Sequence, residues 1–318
     1  MTTDGPAQGQ LTDVPGMLVG QVERIGQGWL TGVSVVIPPA GSIGAVDVRG
    51  GGPGTHETDA LDPTTLVSTV DAVVLTGGSA YGLAAAGGVQ RWCEEQGRGF
   101  AVDGGVVPIV PAAAIFDLGR GGDFALRPDL EMGYWAARSA HSGEVKRGNA
   151  GAGAGAALGR GSFKGGVGTA SMRMPGANSE IVVAALAVVN AAGLPLGAQT
   201  APPNGPASDG PALNTTLAVV ATNAVLTVAQ AKRTATAAHD GFARALSPVH
   251  TLADGDTVFA LASCERELSS AGSSSTVALI ELQAIAAIVV QRAIEDGIGS
   301  AETVRTEAGE LPRWPGAI

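Results

Sequence analysis

The 318 residues carry 19 Lys and Arg against 29 Asp and Glu, a net charge of −10, with a hydrophobic share of 45%. That balance argues against a nucleic-acid or acidic-membrane partner and leaves enough apolar residue for a sizeable core. Cys93 and Cys264 stand in unrelated contexts, which excludes a disulfide framework or a cysteine metal site.

In chain order, residues 1–16 read as a mobile polar leader without the charged-then-apolar pattern of a secretory signal, so a cytoplasmic location is expected. Residues 17–36 alternate apolar and polar in the manner of a strand. The glycine-dense loop Arg49-Gly-Gly-Gly-Pro-Gly-Thr-His-Glu-Thr-Asp59 follows, then a buried strand over 71–76, the turn Gly77-Gly78-Ser79-Ala80-Tyr81-Gly82, and a helix running to about residue 95. Residues 106–118 are apolar, with Pro108 and Pro111 limiting any helix. Two more glycine-rich stretches occupy 148–155 and 164–170, and an apolar strand over 181–189 ends at Asn190. Residues 201–212, rich in Pro, Gly, Ser and Asp, form a linker. A strand over 215–222, a helix over 227–246, a strand over 256–262 and a helix over 275–296 complete a mixed α and β chain. The apolar runs 181–189 and 284–290 are too short to span a bilayer, so no membrane partner is expected.

Three local patterns imitate other chemistries. Strand 73–76, the glycines after it and Asp103 resemble a dinucleotide-binding unit, but Gly-Gly-x-x-x-Gly is not Gly-x-Gly-x-x-Gly. Ser79 lacks the last glycine of a nucleophile elbow, because Tyr81 stands there. His56, Glu57 and Asp59 have no second histidine at ligand spacing, so they read as a loop hydrogen-bond cluster. No metal and no cofactor are expected.

The junction Asn214-Thr215 places a threonine where the linker meets a buried strand. A linker feeding a strand is ordinary, yet the position also suits an N-terminal nucleophile. Cleavage there frees one residue bearing both a hydroxyl and an α-amine. The amine titrates at about 7.7–8.0, so part of it is free base at neutral pH, and it can take the hydroxyl proton without a histidine.

The motifs around this junction resemble those of the L-aminopeptidase/D-amidase-esterase family, which includes β-peptidyl aminopeptidases and nylon-oligomer hydrolases. They are residues 49–59, Leu75-Thr-Gly-Gly-Ser-Ala-Tyr-Gly-Leu83, Pro111-Ala-Ala-Ala-Ile-Phe-Asp-Leu118, Gly148-Asn-Ala-Gly-Ala-Gly153 and Lys164-Gly-Gly-Val-Gly-Thr-Ala170. Val188-Val-Asn-Ala191, Asn214-Thr-Thr-Leu217 with Ala221-Thr-Asn223, and His250-Thr-Leu-Ala-Asp-Gly-Asp-Thr-Val-Phe259 continue the series. The resemblance implies an α+β fold, a four-layer αββα sandwich shared with ornithine acetyltransferases. It implies one domain cut into an α-chain of residues 1–214 and a β-chain of 215–318, and a tetramer of such units.

Carried over by position, Thr215 is the nucleophile and Asn190 donates its amide to the oxyanion. Asp254 and Asp256, two apart at a strand start, match the acidic pair of the nylon-oligomer hydrolases and are expected to orient the Thr215 amine and hydroxyl; aminopeptidase members tend to carry Ser and Glu. Ser79, Tyr81, Phe116 and Arg160 are expected to shape the substrate pocket. Phe116 replaces a tyrosine of the nylon-oligomer hydrolases, and Arg160 aligns with their lysine. The expected activity is hydrolysis of a small peptide-like or ω-amino-acid amide. Acyl transfer to an amine and an uncleaved peptide-binding scaffold remain alternatives.

Overall fold

The computed structural model describes residues 9–198, 213–269 and 274–316. The 201–212 linker read from the sequence lies outside the described residues. Ten strands form two five-stranded sheets: β1 (Leu18–Gly26), β2 (Trp29–Ile37), β3 (Ile43–Val48), β4 (Thr55–His56), β5 (Val73–Thr76), β6 (Ala112–Ala114), β7 (Val167–Arg173), β8 (Val182–Asn190), β9 (Thr215–Ala224) and β10 (Thr257–Arg266). The first sheet has the order β1-β2-β5-β6-β4 and the second β7-β8-β9-β10-β3. Within the second, β9 pairs antiparallel with β8 and parallel with β10.

Strict alternation along β8 builds both faces of the second sheet. Val182, Ala184, Leu186 and Val188 meet the first sheet in a shared inter-sheet core. Val183, Ala185, Ala187 and Val189 turn to the opposite core, which is covered by helices α3 (Val228–Ala238), α4 (Asp240–Ala245) and α5 (Ser275–Gly299). The first sheet buries its other face under α1 (Ala85–Glu95) and α2 (Leu130–Arg138). The layers therefore run helix, sheet, sheet, helix, the αββα sandwich that the resemblance implies.

Several sequence expectations change. Residues 9–16 are not a mobile leader: Leu11 and Val14 are wholly buried, and the Leu11 amide donates to Thr169 Oγ1 at 2.8 Å. The single helix over 227–246 is two helices that meet at His239. Phe100–Val102 pairs only with Gly105–Val107 in a small hairpin, while the parallel neighbour of β5 is β6. The dinucleotide-binding imitation therefore ends at the turn. Helix α5 runs 25 residues with a hydropathy of 1.8, enough by length and composition to cross a membrane, which the short apolar runs do not suggest. Its buried residues, among them Leu282, Ala286, Val289 and Ala293, pack on the second sheet.

Candidate active site

Thr215 opens the central strand of the second sheet, and Asn190 closes the neighbouring strand directly opposite it. Both side chains share the face of Leu217 and Val188, the inter-sheet face. Asn190 is fully buried and Thr215 nearly so. The end of the inter-sheet layer thus holds a hydroxyl beside a carboxamide in a water-poor setting.

The Asn190 amide has a fixed orientation. Its Oδ1 accepts from Arg120 Nη1 at 2.5 Å and from the Ala157 amide at 3.1 Å. Its Nδ2 makes only a long 3.4 Å contact to the Phe116 carbonyl, so the NH₂ side is the donor left for a reacting oxygen. Arg120 also donates to the Gly155 carbonyl at 2.5 Å. Burial lowers its pKa to about 10 against the opposing pull of Asp117. Lys164, wholly buried, donates to the carbonyls of Gly153, Ala156 and Gly165 at 2.6–2.9 Å. Burial, reinforced by Arg120, holds its pKa well below the usual lysine value. Buried Asp117 accepts from the Gly78 amide at 2.6 Å, and burial raises its pKa. Arg120, Lys164 and Asp117 therefore form a buried polar cluster behind the Asn190 amide, and at low dielectric any charge among them acts strongly on charge that develops there.

On the other side of the junction, the Thr215 hydroxyl donates to the Asn214 carbonyl at 2.5 Å. The same carbonyl accepts the Gly255 amide at 3.0 Å, and the Asn214 amide donates to the Ala253 carbonyl at 3.0 Å. The chain on either side of the peptide bond is thereby clamped to the loop that precedes β10.

That loop carries the two acids, which precede the strand rather than start it, and they take different partners. Asp256 accepts from the Thr216 amide at 2.8 Å through Oδ1. Through Oδ2 it accepts from the His250 amide at 2.9 Å and meets His250 Nδ1 at 2.8 Å. Asp254 holds the Thr251 amide at 2.8 Å. In the uncut chain Asp256 thus reaches the residue after Thr215, and Asp254 shapes the loop. The glycine-dense segment packs against the same loop: the Arg49 and Gly50 amides donate to the Asp256 carbonyl and Gly52 to the Asp254 carbonyl. A Cβ on Gly50 would stand 2.3 Å from Asp254 O and 2.4 Å from Asp256 N, so glycine is needed for this approach.

The residues expected to line a pocket separate into two groups. Ser79 donates its backbone amide to Ile115 O at 2.9 Å, one residue before Phe116, and Phe116 itself meets Asn190 through its carbonyl. Tyr81 is exposed, with the Arg127 guanidinium 3.8 Å over its ring. Arg160 is exposed on the turn between two short strands, in left-handed conformation. The buried basic side chain of that stretch is Lys164. Sequence pattern does not single out Arg120, Gly255 or His250 as site residues. The one available signal was Lys164, a charge set among glycines next to Phe163.

The family model of peptidase family S58 matches residues 9–311. An uncharacterised aminopeptidase of Mycobacterium tuberculosis (strain ATCC 25618 / H37Rv) is 44% identical, covering 97% of this chain and 98% of that protein. A 6-aminohexanoate-oligomer endohydrolase of Kocuria sp. (strain KY2) is 29% identical over 83% of this chain and 77% of its own. Among solved structures, the L-aminopeptidase D-Ala-esterase/amidase from Ochrobactrum anthropi, described as a variant of the Ntn hydrolase fold, superposes with a TM-score of 0.76. Identity there is 20%, with 96% of this chain and 90% of that one covered. The match spans nearly the whole chain, and the fold agrees with it: the chain belongs to peptidase family S58 and is an amide-bond hydrolase.

Proposed function

We propose that the chain cuts its own backbone between Asn214 and Thr215, and that the new N-terminal threonine then hydrolyses small peptide-like or ω-amino-acid amides. The observation that carries this reading is the Thr215 hydroxyl lying against the carbonyl of its own preceding peptide bond, opposite the Asn190 amide. In the mature form the Thr215 α-amine accepts the hydroxyl proton as Oγ1 attacks the substrate carbonyl. The tetrahedral oxyanion takes the Asn190 NH₂, a preorganised donor of a kind that contributes roughly 3–4 kcal/mol to acyl transfer. Collapse breaks the C–N bond, and the leaving amine collects the proton held by the α-amine. Water then attacks the Thr215 ester by the same route, releasing the acid. Asp256, bonded to the Thr216 amide, fixes the backbone on which the amine sits.

Aminopeptidase-type substrates come first because the relative at 44% identity carries that name. Phe116 offers no phenol and Arg160 is exposed, so this reading places 6-aminohexanoate oligomers second. The processed unit is residues 1–214 with 215–318, and four such units form the assembly, which analytical ultracentrifugation checks. The deciding experiment is intact mass with N-terminal sequencing, followed by a panel of aminoacyl amides and 6-aminohexanoate oligomers. Two fragments, one starting at Thr215, are expected, with Thr215→Ala giving one whole inactive chain. A wild-type chain that stays whole and hydrolyses amides, or a Thr215→Ala chain with full activity, would sink the reading.

A further inference from the structure

Asn190 serves the substrate carbonyl, but self-cleavage develops its negative charge elsewhere, on the oxygen of Asn214. We infer that the backbone amide of Gly255 is the oxyanion donor for self-cleavage, and that residue 255 must be glycine because a side chain there would displace the nucleophile. The inference rests on the self-cleavage proposed above.

Two contacts support it. The Gly255 N–H already donates to the Asn214 carbonyl at 3.0 Å, the oxygen that also receives the Thr215 hydroxyl. A Cβ on Gly255 would stand 2.6 Å from Thr215 Oγ1, its nearest neighbour, and 3.1 Å from Gly52 O. Gly255 has no left-handed backbone to explain it. Its requirement is steric, and the atom it makes room for is the attacking oxygen. The threonine can escape an added methyl only by turning about χ1, which swings Oγ1 away from the bond it attacks.

The step balances within the chain. Thr215 Oγ1 bonds to the Asn214 carbonyl carbon while the carbonyl oxygen, taking negative charge, stays on the Gly255 N–H. The carbon–nitrogen bond to Thr215 breaks, and the hydroxyl proton ends on the Thr215 nitrogen. An ester joins Asn214 to Thr215, and water cleaves it to a carboxylate and the free hydroxyl. The protein thus uses two donors for two carbonyls, a loop amide for its own bond and the Asn190 side chain for substrate.

The test follows intact mass with time after cell-free synthesis of the full chain, comparing wild type, Gly255→Ala, Gly255→Pro, Asn190→Ala and Thr215→Ala. Proline removes the donor, and loss of one oxyanion donor slows acyl transfer by about 10²–10³-fold. Alanine keeps the donor but displaces the hydroxyl, and cleavage is expected to slow at least about tenfold by loss of near-attack geometry. Asn190→Ala is expected to cut faster than either. Gly255 variants that cut at the wild-type rate, or Asn190→Ala slowing the cut as much as Gly255→Pro, overturn the inference. A wild-type chain that never cuts instead removes the proposed function beneath it. If neither Gly255 variant shows the circular dichroism of the folded Thr215→Ala chain, amide exchange in the Thr215→Ala chain decides. Protection of the Gly255 N–H supports the inference, and exchange at the rate of an open loop overturns it.

Discussion

Arg120 is the residue through which the site is tuned from behind. It and the Ala157 amide occupy the Asn190 oxygen, so the carboxamide presents its NH₂ to a reacting carbonyl. Arg120→Met leaves that oxygen to the Ala157 amide alone and loosens the orientation of the carboxamide, which lowers kcat by about 10–100-fold, a fraction of the full loss of an oxyanion donor. KM should change little, since no ground-state contact is removed. Steady-state kinetics on any turned-over aminoacyl amide measures the split, and a rise in KM alone would refute the role. Thr215 and Asn190 were marked in the sequence by the family motifs at the linker–strand junction and at the strand ending in asparagine, and the structure sets them opposite each other. Arg120 and Gly255 were not, because one acts through another side chain and the other through its backbone amide. The acid pair was legible as residues but not as geometry: a Gly between two Asp in a loop gives no shared direction, and the carboxylates bind Thr251 and Thr216.

Among the elements, β8 and β9 were readable because their apolar runs are long, β8 closing and β9 opening on a chemically marked residue. Leu186, fully buried between the sheets, should cost about 2–5 kcal/mol on truncation to alanine, measured by chemical denaturation of the uncut Thr215→Ala chain. Helix α2 escaped the sequence reading for a physical reason. Its buried face is Met132, Gly133, Ala136 and Ala137, while Leu130 and Trp135 are half exposed, so hydropathy does not mark the inward side. Small residues are required there: a Cβ on Gly133 would stand 1.9 Å from Ala85 O in the facing helix. The glycine-dense segment obeys the same logic against the acid loop. Gly50→Ala forces the glycine-dense segment away from Asp254 and Asp256 and should destabilise the chain by about 1–3 kcal/mol, the usual cost of overpacking. A melting temperature equal to that of the parent would contradict this.

At the scale of the molecule, His239 links stability to pH. It is buried, its Nε2 3.0 Å from the Asp47 carbonyl and its ring against His250, with Arg49, Lys232 and Asp256 near the same cluster. Burial lowers its pKa to about 4, opposed by the Asp47 carbonyl and assisted by His250. Between pH 6.5 and about 4 the unfolded chain binds a proton that the folded chain excludes, so stability falls as pH falls through that window. The loss is roughly 3 kcal/mol, and His239→Phe should flatten the denaturant midpoint between pH 7 and 4.5. The order of the second sheet has a further consequence. Strands β9 and β10, which follow Thr215, lie between β8 and β3, which precede it. If the bond at 214 is severed as proposed, the two pieces dovetail along both borders, and nothing covalent remembers that they began as one. Full denaturation should therefore turn a unimolecular renaturation into an encounter between strangers. Recovery of severed enzyme should slow with dilution, while the intact Thr215→Ala chain refolds at a rate indifferent to concentration.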